Sequence, residues 1–239
     1  YDGTAWSALT SGTTKGLSSV WGSSSSDVLA VGRDGTILHY NGTAWIAMSS
    51  GTTNDLLDIW ASSPTDVFAV GVNGTVLRYD GTVWTVLSSG TTSDLLDVWG
   101  SSATDVFVSG YAGTVLHYDG TAWMAMSSGT IDWLNGLSGS SSSDVFAVGS
   151  RGAVIHYDGA GWSAQSSSTT SNLYAVWGSS SSDVFAVGDA GVILHYDGTA
   201  WTAFSGATNN LSGVWGVSSS DVFAVGDNGT VLHHNGSIW

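Results

Sequence analysis

Apolar residues fall along this chain in short runs, parted by clusters of Ser, Gly, Asp and Asn. The runs read as strands. Val, Thr, Trp, Tyr and Phe abound in them, while Glu is absent and long straight-chain helix formers are scarce. One stretch, 176–201, shows the arrangement most cleanly: VWGSSSSDVFAVGDAGVILHYDGTAW. Four strands are predicted per unit, at 95–100 (LLDVWG), 105–110 (DVFVSG), 114–118 (TVLHY) and 122–127 (AWMAMS). A Ser-rich stretch joins the first pair. A tip ending in Gly joins the second, as at Asn73-Gly74, and an Asp-Gly or Asn-Gly joins the third, as at Asp80-Gly81 and Asn41-Gly42. Those dipeptides supply the positive φ angles of tight hairpins. The second strands are apolar on both faces, so each sheet is expected to be covered on both sides.

The pattern repeats. The Asp of the (S/T)DV motif stands at Asp27, Asp66, Asp105, Asp144, Asp183 and Asp221, in steps of 39 residues with a last step of 38. The Trp that closes the DGTAW-like motif follows the same steps, at Trp6, Trp45, Trp84, Trp123, Trp162, Trp201 and Trp239. Four antiparallel strands in about 40 residues, repeated, predict an all-β fold, a six-bladed β-propeller. A β-solenoid is excluded by the hairpins inside each unit. The 239 residues are expected to form a single propeller domain and a monomer. The ends carry a redundancy: Tyr1–Trp6 and His234–Trp239 are equivalent, so the chain holds six units and six further residues. The expectation is that the N-terminal copy supplies the fourth strand of the last blade, closing the ring, and displaces the C-terminal copy.

VGxxGTVLHYDGTAW with LxDVWG upstream resembles the repeats of Asp-box (BNR-like) propellers, most of all the photosystem II assembly-factor type. The resemblance runs through every unit and implies a propeller fold. The Asp-box is degenerate here, since Asp80 to Trp84 spans four positions rather than five and the upstream hydroxyl is replaced by His or Arg. The motif is a folding device of the turn, so the resemblance implies no activity.

Composition narrows the function classes. Lys and Arg number 4 against 19 acids, all Asp, for a net charge of −15. Such a surface repels phosphate backbones, so no nucleic acid partner is expected. No apolar run reaches the length of a membrane span, so no membrane partner is expected either. Cysteine is absent, which removes disulfide and thiolate arguments. An extracellular or cell-surface setting is favoured.

The repeated Trp and Asp residues are assigned to structure: Trp45, Trp84, Trp123, Trp162 and Trp201 fill space between blades, and Asp27, Asp66, Asp105, Asp144, Asp183 and Asp221 bind turn backbone. No metal, cofactor or catalytic residue is predicted. His39, His117, His156, His195 and His233 lie too far out on their blades to converge on one ion, and Arg78 takes the second blade's place in the series. Sialidase chemistry needs an arginine triad. Of the three Arg here, Arg78 sits in a strand and the other two lie three blades apart.

The repeats differ mostly on one rim, built by the second-to-third-strand tips and the blade-to-blade connections. Lys15, Arg33, Tyr111, Trp133 and Arg151 fall there and are the candidate ligand contacts. The reading is a non-catalytic binding or scaffold module whose ligand is a glycan or a protein. The alternatives are a recently amplified or engineered repeat with no selected ligand, and a glycoside hydrolase-like enzyme. The fourth blade also has Ser138 where the others have Trp on the first strand. Trp133 is expected to fold in and fill that vacancy.

Overall fold

The computed structural model describes residues 4, 5, 7–204 and 206–239. Six antiparallel sheets follow one another, five of four strands and a last one of three. The chain is a six-bladed β-propeller. The third blade is representative: Leu95–Ser102, Asp105–Gly110, Val115–Tyr118 and Trp123–Met126, each paired to the next in order. The first strand is two residues longer than the sequence predicts. A bulge lets Ser102 pair with Asp105 before the register settles at Gly100 and Val106. First strands of neighbouring blades pack against each other, so they are innermost.

The joints between blades hold the core. Phe68 and Val70 of the second blade meet Leu95, Val98, Tyr118 and Trp123 of the third. Phe107 meets Leu134, Leu137 and Trp162 in the same way, and Phe146 meets Leu173, Val176 and Trp201. At each of these joints the Trp stands edge-on to the Phe, with centroids 5.8–6.2 Å apart. In the first blade Leu29 replaces Phe and meets Leu56, Ile59 and Trp84. Burying each such side chain contributes roughly 1.5–3 kcal/mol.

A second contact runs alongside. At three joints the first-strand Trp of one blade lies against a glycine of the next, and at the first joint Trp21 packs against the cluster that holds Ala61. A Cβ on Gly100 would stand 2.6 Å from the Trp60 ring, and one on Gly139 the same distance from Trp99. Only glycine admits an indole so close.

The fifth joint corrects one expectation. Trp239 lies edge-on to Phe185, centroids 5.7 Å apart, and packs with Val187, Ile193 and Leu211. The C-terminal copy is therefore seated in the Trp pocket of the last blade and is not displaced. The expected N-terminal closing strand falls on Tyr1–Trp6, of which Trp6 and 1–3 lie outside the described residues; residues 7–16 form no strand. Among the described residues no core cluster joins the sixth blade to the first.

Candidate functional site

Each (S/T)DV Asp ties its second strand to its third. His39, His117, His156, His195 and His233 place Nε2 2.7 Å from an oxygen of Asp27, Asp105, Asp144, Asp183 and Asp221. In the second blade Arg78 binds Asp66 through Nε and Nη2, at 2.9 and 3.2 Å. The other oxygen accepts a serine hydroxyl, from Ser23, Ser101, Ser140 or Ser179. The carboxylate stands between hydroxyl and imidazole, so this Ser, Asp and His set lacks the Ser–His contact that activates a nucleophile. The rings of His117, His156, His195 and His233 stack on Phe107, Phe146, Phe185 and Phe223. Among the described residues no three His or Asp side chains gather as a metal site.

The Asp of the outer turn is a local cap. Asp80 Oδ1 accepts from Thr82 N at 2.8 Å, Thr82 Oγ1 at 2.6 Å and Val83 N at 2.9 Å. Those bonds, the Thr82 hydroxyl first, lower its pKa to about 2, and Asp119 and Asp197 behave alike.

The variable rim has its own regular device. At each tip the second residue is left-handed: Asp34, Asn73, Ala112, Arg151, Ala190 and Asn228, with φ between 52° and 56°. That residue's N–H is accepted by a side chain of the next blade. Asp55 serves Asp34 and Asp94 serves Asn73, each at 2.8 Å. Asn172 serves Arg151 at 3.0 Å and Asn210 serves Ala190 at 2.9 Å. Trp133 holds this place in the fourth blade. Indole has no acceptor to offer the Ala112 N–H.

Trp133 instead stacks on Tyr111 of the third blade, centroids 4.3 Å apart and 22° between planes. It stays 51% exposed, so it does not fill the vacancy at Ser138, contrary to expectation. The vacancy is taken up by blade approach. Gly136 comes so near the fifth blade that a Cβ there would lie 3.2 Å from the Ala175 Cα, and Asn135 Nδ2 donates to the Leu173 carbonyl at 2.8 Å. The close approach falls at Gly136, where the fourth-blade strand carries no side chain.

The aromatic pair walls a cavity of about 590 Å³, lined also by Leu96, Ile131, Asp132, Asn135, Arg151 and Tyr174. Arg151 pairs with Asp132. The Tyr174 hydroxyl donates to Asp189 at 2.6 Å, which raises its pKa, and Asn172 Nδ2 donates to the same carboxylate at 2.9 Å. Three of the five candidate ligand contacts, Tyr111, Trp133 and Arg151, thus share one cavity. Lys15 and Arg33 stand on the first blade, where Lys15 pairs with Asp34 and Arg33 packs over Gly16; neither lines it.

A carboxyl pair near the axis had no place among the candidates. The Asp97 pKa is raised well above the carboxylate range by burial, then by the charge of Asp58, then by a hydrogen bond to it. Ser19 Oγ donates to Asp58 at 2.7 Å, the Val98 N–H to Asp58 at 3.0 Å, and the Leu137 N–H to Asp97 at 2.6 Å. The signal was present in LLDIW and LLDVW, an acid within an apolar strand in two units alone.

No protein-family model matches the chain, and no curated protein is similar to it. Among solved structures, YCF48 bound to D1 peptide is similar over 100% of this chain and 84% of that one, with a TM-score of 0.79 at 16% identity. YCF48 from Cyanidioschyzon merolae aligns over 97% of this chain and 99% of that one at 12% identity, with a TM-score of 0.48. The first likeness shows a shared propeller fold.

Proposed function

We propose that this propeller is a non-catalytic binding module and that its ligand, a short segment of a partner protein, occupies the cavity at Tyr111, Trp133 and Arg151. The observation that carries this reading is Trp133. At the same place the second, third, fifth and sixth blades keep Asp or Asn to hold the neighbouring tip. The fourth blade gives up that bond and presents a half-exposed indole stacked on a tyrosine. A change that removes a structural bond and adds exposed apolar surface is costly to the fold alone, and a bound ligand supplies the return.

The chemistry suits a peptide. The aromatic pair with Leu96 and Ile131 accepts an apolar side chain. Arg151 presents N–H donors for main-chain carbonyls, and the Asn135 side-chain oxygen accepts a main-chain N–H. The similar fold of YCF48 bound to D1 peptide supports a peptide over a glycan, as a precedent for peptide binding on such a ring.

The test is selection from a displayed peptide library against the immobilised protein, followed by variants. Trp133→Ala and Tyr111→Ala are expected to weaken a selected peptide by about 30-fold or more each, the size of an interface anchor. Trp133→Asn restores the tip bond, so it is expected to keep the fold and lose the ligand. Lys15→Ala and Arg33→Ala are expected to change nothing. Peptides indifferent to Trp133 would refute the site, and glycan-array binding lost on Trp133→Ala would replace the peptide by a sugar.

A further inference from the structure

The charges about the cavity are unequal. Asp132 lines it beside Arg151, its ion-pair partner and the cation among the lining residues. Asp94 stands next to Tyr111, whose N–H donates to the Asp94 carbonyl at 3.0 Å. Asp189 accepts from Tyr174 and Asn172, which both line the cavity. Three carboxylates thus stand against one guanidinium, within a chain whose net charge is −15.

The indole adds a preference of its own. Tyr111 stacks on Trp133 at 4.3 Å, and the indole remains 51% exposed. The face of an aromatic ring is negative, so a Lys or Arg side chain laid on it is attracted. The stems of both residues are apolar and cover the ring as well. An anionic side chain gains neither. To be paired it would have to take Arg151 from Asp132, whose side chain is 20% exposed, and leave that poorly hydrated carboxylate without its partner.

We infer that the segment bound in this cavity is basic: a Lys or Arg side chain lies on the exposed part of the Trp133 ring, beside an apolar residue seated against Leu96 and Ile131. This rests on the reading of the cavity as a peptide site and adds the chemical class of the peptide. The nearby carboxylates favour the bound cation, and the field of the whole chain speeds its arrival. One of those carboxylates can be neutralised without loss of structure. Asp94 holds the Asn73 N–H at 2.8 Å, and Asn172 and Asn210 perform the same task for Arg151 and Ala190. Asp158, in an outer turn, offers a distant control. Its Oδ1 accepts the Ala160 and Gly161 N–H groups, as Asn41 accepts those of Thr43 and Ala44 in the first blade.

The experiment takes library peptides selected on the immobilised protein and measures affinity and association rate at low and high salt. Peptides that need Trp133 are expected to carry Lys or Arg. Replacing that residue by Met keeps an apolar stem and removes the charge, and is expected to weaken binding by about 5–10-fold. Asp94→Asn is expected to slow the association of basic peptides by about 2-fold at low salt and to have no effect at high salt. Asp158→Asn is expected to leave the rate nearly unchanged. Peptides that are lost on Trp133→Asn yet carry no basic residue, or that accept Met in its place, overturn this inference and leave the peptide site standing. So does a peptide whose own carboxylate pairs with Arg151, seen as binding lost on Arg151→Gln and on amidation of the peptide acid. Equal rates for the parent and Asp94→Asn at low salt also overturn it. Basic peptides that bind Trp133→Asn as well as the parent are held by net charge alone, and they refute both this inference and the site.

Discussion

Asp97 sits where a carboxylate is poorly solvated and next to the charge of Asp58, and its pKa is raised. In the unfolded chain it titrates near the ordinary value, about 3.9. Below that range both states hold the proton and the residue is neutral to stability. As pH rises from about 4 toward the raised folded value, the unfolded state loses its proton first and unfolding becomes relatively favoured. Asp97→Asn removes this term. Its amide can donate to Asp58 as the protonated acid does, and its oxygen can keep the Leu137 N–H. The variant is expected to match the parent near pH 4 and to exceed it in denaturation midpoint at pH 7; chemical denaturation at both values checks this. The turn carboxylates act in the opposite sense. Asp80, Asp119 and Asp197 have folded pKa values lowered to about 2, so their contribution is present at neutral pH and is lost as acid passes from about 4 toward 2.

Among elements, the joint of the fourth and fifth blades differs from its neighbours. Ser138 replaces the usual indole, and the innermost strands Leu134–Ser141 and Leu173–Ser180 come close at Gly136 and Ala175. Ser138→Trp would restore the repeat in sequence and violate the joint in space. It is expected to destabilise by about 1–3 kcal/mol, the usual cost of overpacking, measured by thermal or urea denaturation. A gain in stability would mean that the joint opens easily. This joint also marks the limit of what the sequence discloses. Strands, turns and blade count were legible because six near-copies average out local ambiguity. Whether Trp133 fills the gap or faces solvent was not, because the answer depends on how closely two backbones approach. That close approach falls at Gly136. Tyr111, Trp133 and Arg151 were legible as departures from the repeat, but their shared cavity was not. The pairing of Asp58 with Asp97 was not legible for a related reason: equivalent positions 39 residues apart become neighbours only near the axis.

For the whole molecule, stability follows from nearest-neighbour joints in series, as in other repeat folds. The interior blades have two such joints. The first and sixth have one each among the described residues. Amide exchange is therefore expected to be fastest in Leu17–Ser24 and Asp221–Gly226 among the first and second strands, and slowest in the third and fourth blades. Uniform protection would show instead that the sheets open only together.

The tip bonds run in one direction: the loop before each blade's first strand holds the tip of the blade before it. A stretch cut from one Trp to the next, the apparent repeat, would therefore carry a loop away from the tip it was matched to. For anyone grafting the Tyr111 and Trp133 cavity onto another ring, the portable cassette begins at the tip of one blade and ends inside the second blade after it. It is offset from the period that the sequence displays.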